Sequence, residues 1–363
     1  MKKSFIFLLF LNIFLLSAQK HKPKDLVFFK TYKKELKGIY LARSSGDVLV
    51  HTTEWISLLD TTGKQLWKKK GFKYVCGAGI SRDGSIILFQ TSSKPKTGPQ
   101  TLLNLTVHIY NKNGEELISA LNPYRYFNSV LSPKGNYIVF GDPVTKKIYV
   151  YDRNLNRLWE RETYLWYIGF DPDEQFIYDS AFGLILNMKG RRVWELPSGM
   201  KFLSISSGAE VVLSQPFLLL KSKNQIYLTN RVSLEQVIFT GLIATVSYDG
   251  SLVAYQDLAH RIWIWRTRDL IEHIKSRAQT TALGKIDFVP CKMLNFSLDD
   301  KTVFLYGISK QGVGYARLVR LLDMKTLWSK NWSKAPEKIL VSEDNKFVLI
   351  QSGPFTIELY QLY

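Results

Sequence analysis

The chain has 363 residues, 46% of them hydrophobic and 22% charged, with a formal net charge of +18. That composition excludes a disordered chain, and the length admits two ordinary domains or one large repeat fold. A chain this basic is attracted to polyanions such as nucleic acid, acidic polysaccharide or anionic lipid headgroups, unless its lysines are spread evenly over the surface.

Lys2 and Lys3 precede an apolar run from Phe5 to Leu16, which ends in the small residues Ser17 and Ala18. This is the layout of a signal peptide over residues 1–18, cut after Ala18. Asn12 interrupts the run, which is shorter than the roughly 20 apolar residues of a spanning helix. No cysteine follows it to carry a lipid anchor. Residues 19–363 are therefore expected to be secreted or periplasmic, monomeric and without a transmembrane segment.

From Gly38 the chain reads as short strands broken by polar turns. IYLAR, VLVHT, WISLLD and QLWKKK are β-branched and aromatic, and SSGD and TTGK separate them. The unit returns as SRDGSIILFQ leading to LTVHIYNKNGEELI, SPKGNYIVFGD leading to KKIYVYDRNLNRLWE, and DPDEQFIYDS leading to LILNMKGRRVWE. SSGAEVVLSQ then leads to QIYLTNRVSLEQVIF, SYDGSLVAYQD to RIWIWRTRDLIEHI, SLDDKTVFLYG to ARLVRLLDMKTLWS, and SEDNKFVLIQS to FTIELYQLY. The turns between the first two strands, A and B, are read as beginning at Ser44, Ser81, Ser132, Asp171, Ser206, Ser247, Ser297 and Ser342.

Units of this length with four strands each predict an all-β fold, a single β-propeller of four-stranded antiparallel blades. Eight blades are expected. Seven is the alternative, because the fifth unit is the least regular. The last unit stops at Tyr363 one strand short, and LVFFKTYKKELKG echoes the end of the first, so segment 25–37 is expected to close the last blade. Trp67, Trp159, Trp194 and Trp328 recur in the fourth strand, D, as packing between blades.

SRDGSIILF and SYDGSLVAY resemble WD-repeat turns, and LLDTTGKQLWKK resembles the repeats of quinoprotein-like propellers. The latter group contains pyrroloquinoline quinone enzymes and the non-enzymatic barrel-assembly propeller of the bacterial outer membrane. The resemblance runs from Gly38 to Tyr363 and implies architecture rather than activity. The WD dipeptide is absent, as is an adjacent cysteine pair of the kind that holds the quinone.

No serine-hydrolase elbow or phosphate loop occurs. The five histidines lack metal-binding spacing, so no metal and no cofactor is expected. Cys76 and Cys291 fall on inner strands of non-adjacent blades and are expected to be buried free thiols. Sorting loops by face puts acids in the A–B turns and bases with aromatics at the opposite end. The candidate binding residues there are Lys69, Lys70, Lys73, Tyr74, Tyr124, Arg125, Tyr126, Lys146, Lys147 and Trp166. The reading is an exported, non-enzymatic scaffold binding a protein, an anionic polysaccharide or an envelope surface, with nucleic acid disfavoured by export. The alternatives are a quinoprotein-like or carbohydrate-active enzyme using the central channel, and a structural component of an envelope assembly.

Overall fold

The computed structural model describes residues 25–93, 105–122, 129–142, 145–163, 165, 168–171, 173–179, 182–195, 201–202, 217–230, 233, 235–277 and 279–363. Eight four-stranded antiparallel sheets follow one another along the chain. Blade 1 comprises Gly38–Leu41, Val48–His51, Trp55–Leu59 and Gln65–Lys70; blade 2, Tyr74–Ile80, Ile86–Ser92, Leu105–Asn111 and Glu116–Leu121; blade 3, Ser129–Leu131, Tyr137–Asp142, Lys147–Asp152 and Arg157–Glu162. Blade 4 comprises Ile168–Phe170, Phe176–Asp179, Leu184–Asn187 and Arg192–Glu195; blade 5, Lys201–Phe202, Phe217–Ser222, Gln225–Asn230 and Gln236–Thr240. Blade 6 comprises Ile243–Val246, Leu252–Gln256, Arg261–Arg266 and Gly284–Asp287; blade 7, Cys291–Phe296, Thr302–Ile308, Gly314–Arg320 and Thr326–Trp332. Blade 8 takes Lys338–Val341, Phe347–Gly353 and Thr356–Gln361 from the end of the chain and Leu26–Thr31 from its beginning.

The ring is needed because each blade is apolar on both faces. All four residues of Val48–His51 are buried. Val48 and Val50 pack with Leu349 and Leu359 of blade 8, whereas Leu49 packs with Ile87 and Phe89 of blade 2. Alternating side chains thus serve opposite neighbours, and the strand reads as a continuous hydrophobic run. Each buried aliphatic contributes about 1.5–3 kcal/mol, which a lone blade would forfeit.

The A–B turns share one device. Ser81 Oγ donates to Asp83 Oδ1 at 2.7 Å while accepting the Ile86 N–H at 2.9 Å. Ser247, Ser297 and Ser342 repeat it with Asp249, Asp299 and Asp344. In blade 4, Asp171 takes the serine's place and accepts from Phe176. In blade 1 the matching position is Ala42, whose N–H donates to Asp47 O as that of Ser81 does to Ile86 O. The unit therefore begins two residues before the expected Ser44, which SSG had drawn toward the wrong serine. Ser206 lies outside the described residues.

The sixth unit departs from expectation. TRDLIEHIKS, read as continuing into the fourth strand, is a helix, α1 (Thr267–Ser276), and strand D is Gly284–Asp287. Leu270, Ile271 and Ile274 have helical spacing, and they pack with Leu219, Ile226 and Leu228 of blade 5. Blade 5 is itself a complete four-stranded sheet, which decides for eight blades over seven.

Cys76 and Cys291 are free, on the inner strands of blades 2 and 7, but they are partly exposed rather than buried as expected. Both sit at irregularities where the inner strand slips its register, which opens the backbone around them. Burial still pushes the Cys291 thiol up to about 12, and its Sγ–H donates toward the Met293 and Tyr306 carbonyls.

Candidate interaction face

The antiparallel order of each blade puts the B–C and D–A loops at one end of the ring. Thr163, in the loop after blade 3, donates its N–H to Lys146 O in that blade's B–C turn at 2.8 Å. Between blades 1 and 2, the Val75 N–H reaches Thr53 O at 2.6 Å.

Lys69 and Lys70 end strand D of blade 1, Lys73 lies in the following loop, and Tyr74 opens strand A of blade 2. Lys70 and Lys73 are exposed. Lys69 is half-buried with its Nζ 5.2 Å from the Tyr110 ring centre, and the adjacent Lys68 Nζ lies 3.8 Å over Trp55. Burial and then the neighbouring charges of Lys70 and Lys30 push the Lys68 pKa down. Among the described residues no carboxylate pairs with Lys68, Lys69, Lys70 or Lys73.

Lys146 and Lys147 form a second group, separated from the first by blade 2. Lys146 is exposed at a positive φ of 56°. Lys147 is engaged with Glu160 at 2.8 Å, which raises its pKa. Tyr124, Arg125, Tyr126 and Trp166 lie outside the described residues.

The opposite end is not the free acidic surface that the turn sequences suggest. Asp83, Asp249, Asp299 and Asp344 are bonded inside their own turns. Asp47, Asp171, Glu174 and Glu343 are buried. Lys112 reaches from blade 2 to Asp47 at 2.5 Å, and Arg82 of blade 2 pairs with Glu343 of blade 8 across the turn of blade 1. Asp47 and Glu343 thus hold neighbouring blades together. Lys189, Arg191 and Arg192, in a C–D turn of that end, are exposed.

Sequence reasoning missed two groups, both assembled from separate strands. Lys338, on the inner strand of blade 8, donates to Ile39 O of blade 1 at 2.9 Å and lies 5.1 Å from the Tyr40 ring centre, and its burial lowers its pKa. In blade 2, His108 contacts Thr91 Oγ1 through Nε2 at 2.9 Å and Glu116 Oε1 through Nδ1 at 3.1 Å. Thr91 is 9% exposed and the imidazole stacks on Phe89 at 4.8 Å. These contacts hold the imidazole against Phe89 and Phe72, in the packing between blades 1 and 2.

No protein-family model matches the sequence, and no curated protein matches it. The fold is similar to solved structures. A crystal structure described as the eukaryotic initiation factor superposes with a TM-score of 0.53 at 13% identity, covering 92% of this chain and 87% of that one. BamB from Moraxella catarrhalis superposes with a TM-score of 0.54 at 12% identity, covering 93% and 97%. At such identities the likeness is one of fold. The chain is an eight-bladed β-propeller, similar in fold to both of these structures.

Proposed function

We propose that this protein is an exported, non-enzymatic scaffold that holds an anionic partner, a protein surface or acidic polysaccharide, on the B–C and D–A end of its ring. The observation that carries this reading is the group Lys68, Lys69, Lys70 and Lys73, with which no carboxylate among the described residues pairs. Like charges held together cost folding free energy, and a bound polyanion offsets that cost. Tyr74 and the aromatic rings under Lys68 and Lys69 give the patch a rigid apolar floor. No helix among the described residues is long and apolar enough to cross a membrane.

The test is charge reversal by face. Lys69, Lys70 and Lys73 changed together to Glu should lose at least tenfold in affinity for an anionic polysaccharide. Lys189, Arg191 and Arg192 changed together to Glu should lose less than threefold. Equal losses would mean that net charge alone drives the attraction, and the reading would fall.

A further inference from the structure

The inner strands of blades 8, 1 and 2 stand side by side around the channel. Lys338 opens strand A of blade 8, so it lies toward the B–C and D–A end, which also carries Lys69, Lys70 and Lys73. At the opposite end the ion pair of Arg82 with Glu343 already reaches from blade 2 to blade 8, so a ligand comes to this sector from the lysine-bearing end.

Lys338 is half-buried, and no carboxylate among the described residues pairs with it. One proton of its Nζ goes to Ile39 O of blade 1 at 2.9 Å, and the others have no acceptor among the described residues. An ammonium drawn out of water without a counter-ion costs free energy, and that burial lowers its pKa. Lys292, exposed at the bulge of the neighbouring inner strand in blade 7, is a second cation at this end.

Beside the ammonium stands an acceptor. The Tyr40 ring centre lies 5.1 Å from Lys338 Nζ and 6.1 Å from the His51 ring centre, and the two rings are stacked. Thr52 O lies 3.1 Å from His51 Nδ1, and because a carbonyl only accepts, Nδ1 bears the proton. Burial, joined by the Lys338 charge, pushes the imidazole down to about 4 against that bond, so the ring is neutral and Nε2 is left as an acceptor. Nε2 has no partner among the described residues, and unlike His260 Nδ1 it is not sealed from solvent. Gly38 makes room for it, since a Cβ there would run into Nε2. Tyr40 packs against Ala78 of blade 2, and Gly77 and Gly79, on either side of Ala78, add no side chain to that wall.

We propose that this mouth of the channel takes an acidic peptide segment of the partner, an aspartate or glutamate carboxylate pairing with Lys338 while a backbone N–H beside it donates to His51 Nε2. The assignment rests on the reading above, that an anionic partner comes to this end of the ring, and the geometry then selects a protein over a polysaccharide. The cation is recessed, so its counter-ion must arrive on a slender stem. Aspartate and glutamate carry their carboxylates on methylenes, whereas a uronate bears its own directly on a sugar ring. A donor close to a carboxylate is also what every acidic residue of a peptide provides.

The experiment measures binding of two probes to the full chain, a peptide of alternating aspartate and glycine and a polyuronate of the same charge. Lys338→Met should weaken the peptide by about fivefold, the loss of one partly exposed ion pair, and leave the polyuronate within twofold of the parent. Lys338→Arg, which keeps the charge, should recover much of the peptide affinity. Lys69, Lys70 and Lys73 changed together to Glu should weaken both probes. A triple variant that binds both as the parent does would strike the lysine face, while a peptide loss in Lys338→Met would still support the channel site. Peptide affinity within twofold of the parent in Lys338→Met overturns the channel site, and equal losses of both probes overturn the choice of a peptide. Should Lys338→Met fail to fold, the His51 imidazole resonances of the parent decide: saturation with the peptide should shift them, and unshifted resonances overturn the site.

Discussion

Phe28 lies across Gly63, so close that a Cβ on the glycine would meet its ring at 2.6 Å. The first residue belongs to the strand that enters blade 8 from the amino-terminal side, the second to the C–D turn of blade 1. Their contact is the same fit that Trp67 makes with Gly114. One packing rule thus continues through the join, where covalent order differs from spatial order. Phe28→Ala should destabilise by about 3–4 kcal/mol, as large-to-small core changes do. Gly63→Ala should also destabilise, through the clash and through a φ of +82° that costs an alanine about 1–2 kcal/mol. Denaturant unfolding measures both, and a chain beginning at Leu36 should lose more than either. A deletion that unfolds like the intact chain would refute closure by this strand.

Glu174 carries a second ring-specific relationship. It sits at a φ of 60°, where the turns of blades 2, 3 and 6 place glycine. Its carboxylate accepts the Lys134 N–H of blade 3 at 2.5 Å and the Asn136 amide at 2.8 Å. Asp300 and Asn345, at the same turn position, reach back to Tyr248 and Thr302 of their preceding blades. The strain is offset by bonds to a neighbour. Glu174→Ala keeps the strain and loses charge-assisted bonds worth about 1.5–3 kcal/mol, whereas Glu174→Gly loses the bonds but relieves the strain. Alanine should therefore be the more destabilising of the two, by about 1 kcal/mol. The reverse order in urea melts would show that the positive φ carries no strain for alanine, and a glycine variant as stable as the parent would show that the inter-blade bonds only offset that strain.

These relationships mark where the sequence stops being readable. The blade count followed from the Ser-x-Asp turns because each turn is closed by atoms within six residues of chain. The tryptophans recur at one place because a bulge at Leu66, Leu158, Val193 and Leu327 precedes Trp67, Trp159, Trp194 and Trp328 in the fourth strands of blades 1, 3, 4 and 7. Helix α1 was missed because RIWIWR primes a strand reading that TRDLIEHIKS does not continue. The roles of Glu174, Asp300 and Lys338 depend on which blade stands beside which, and no local pattern encodes that. The lysines of the proposed face were legible as charges, but that no carboxylate among the described residues pairs with Lys68, Lys69, Lys70 or Lys73 was not.

Asp300 gives a pH dependence. Burial, and then the adjacent Asp249 carboxylate, push its pKa up to about 6, whereas hydrogen bonds from Ser251, Ser247 and Asp300 hold Asp249 down at about 2 against its own burial. A carboxyl whose folded pKa lies above its unfolded value of about 3.9 binds more protons when folded. Its contribution to stability is complete below pH 3.9 and is lost as pH rises through 6. Asp300→Asn cannot ionise, and asparagine tolerates the positive φ of 53°. The variant should melt close to the parent near pH 4.5 and above it at pH 7.5. A melting difference that does not change with pH between these values would show that Asp300 does not titrate in this window.

Salt separates the lysine group's own contribution from that of the protein's net charge. Between 10 mM and 150 mM salt the Debye length falls from about 30 Å to about 8 Å. Charges spread over the whole ring are then screened from a bound chain, whereas lysines in direct contact with it are screened much less. The parent should therefore keep measurable affinity for an anionic polysaccharide at 150 mM salt, because Lys70 and Lys73 are exposed and no carboxylate among the described residues pairs with them. Lys147, already held by Glu160 at 2.8 Å, should contribute little. Lys147→Ala should leave both the affinity and its salt slope within twofold of the parent, while Lys70→Ala with Lys73→Ala should lower the affinity and flatten the slope. A flattening by Lys147→Ala equal to that of the double variant would place the contact on blade 3 and move the proposed face away from the junction of blades 1 and 2.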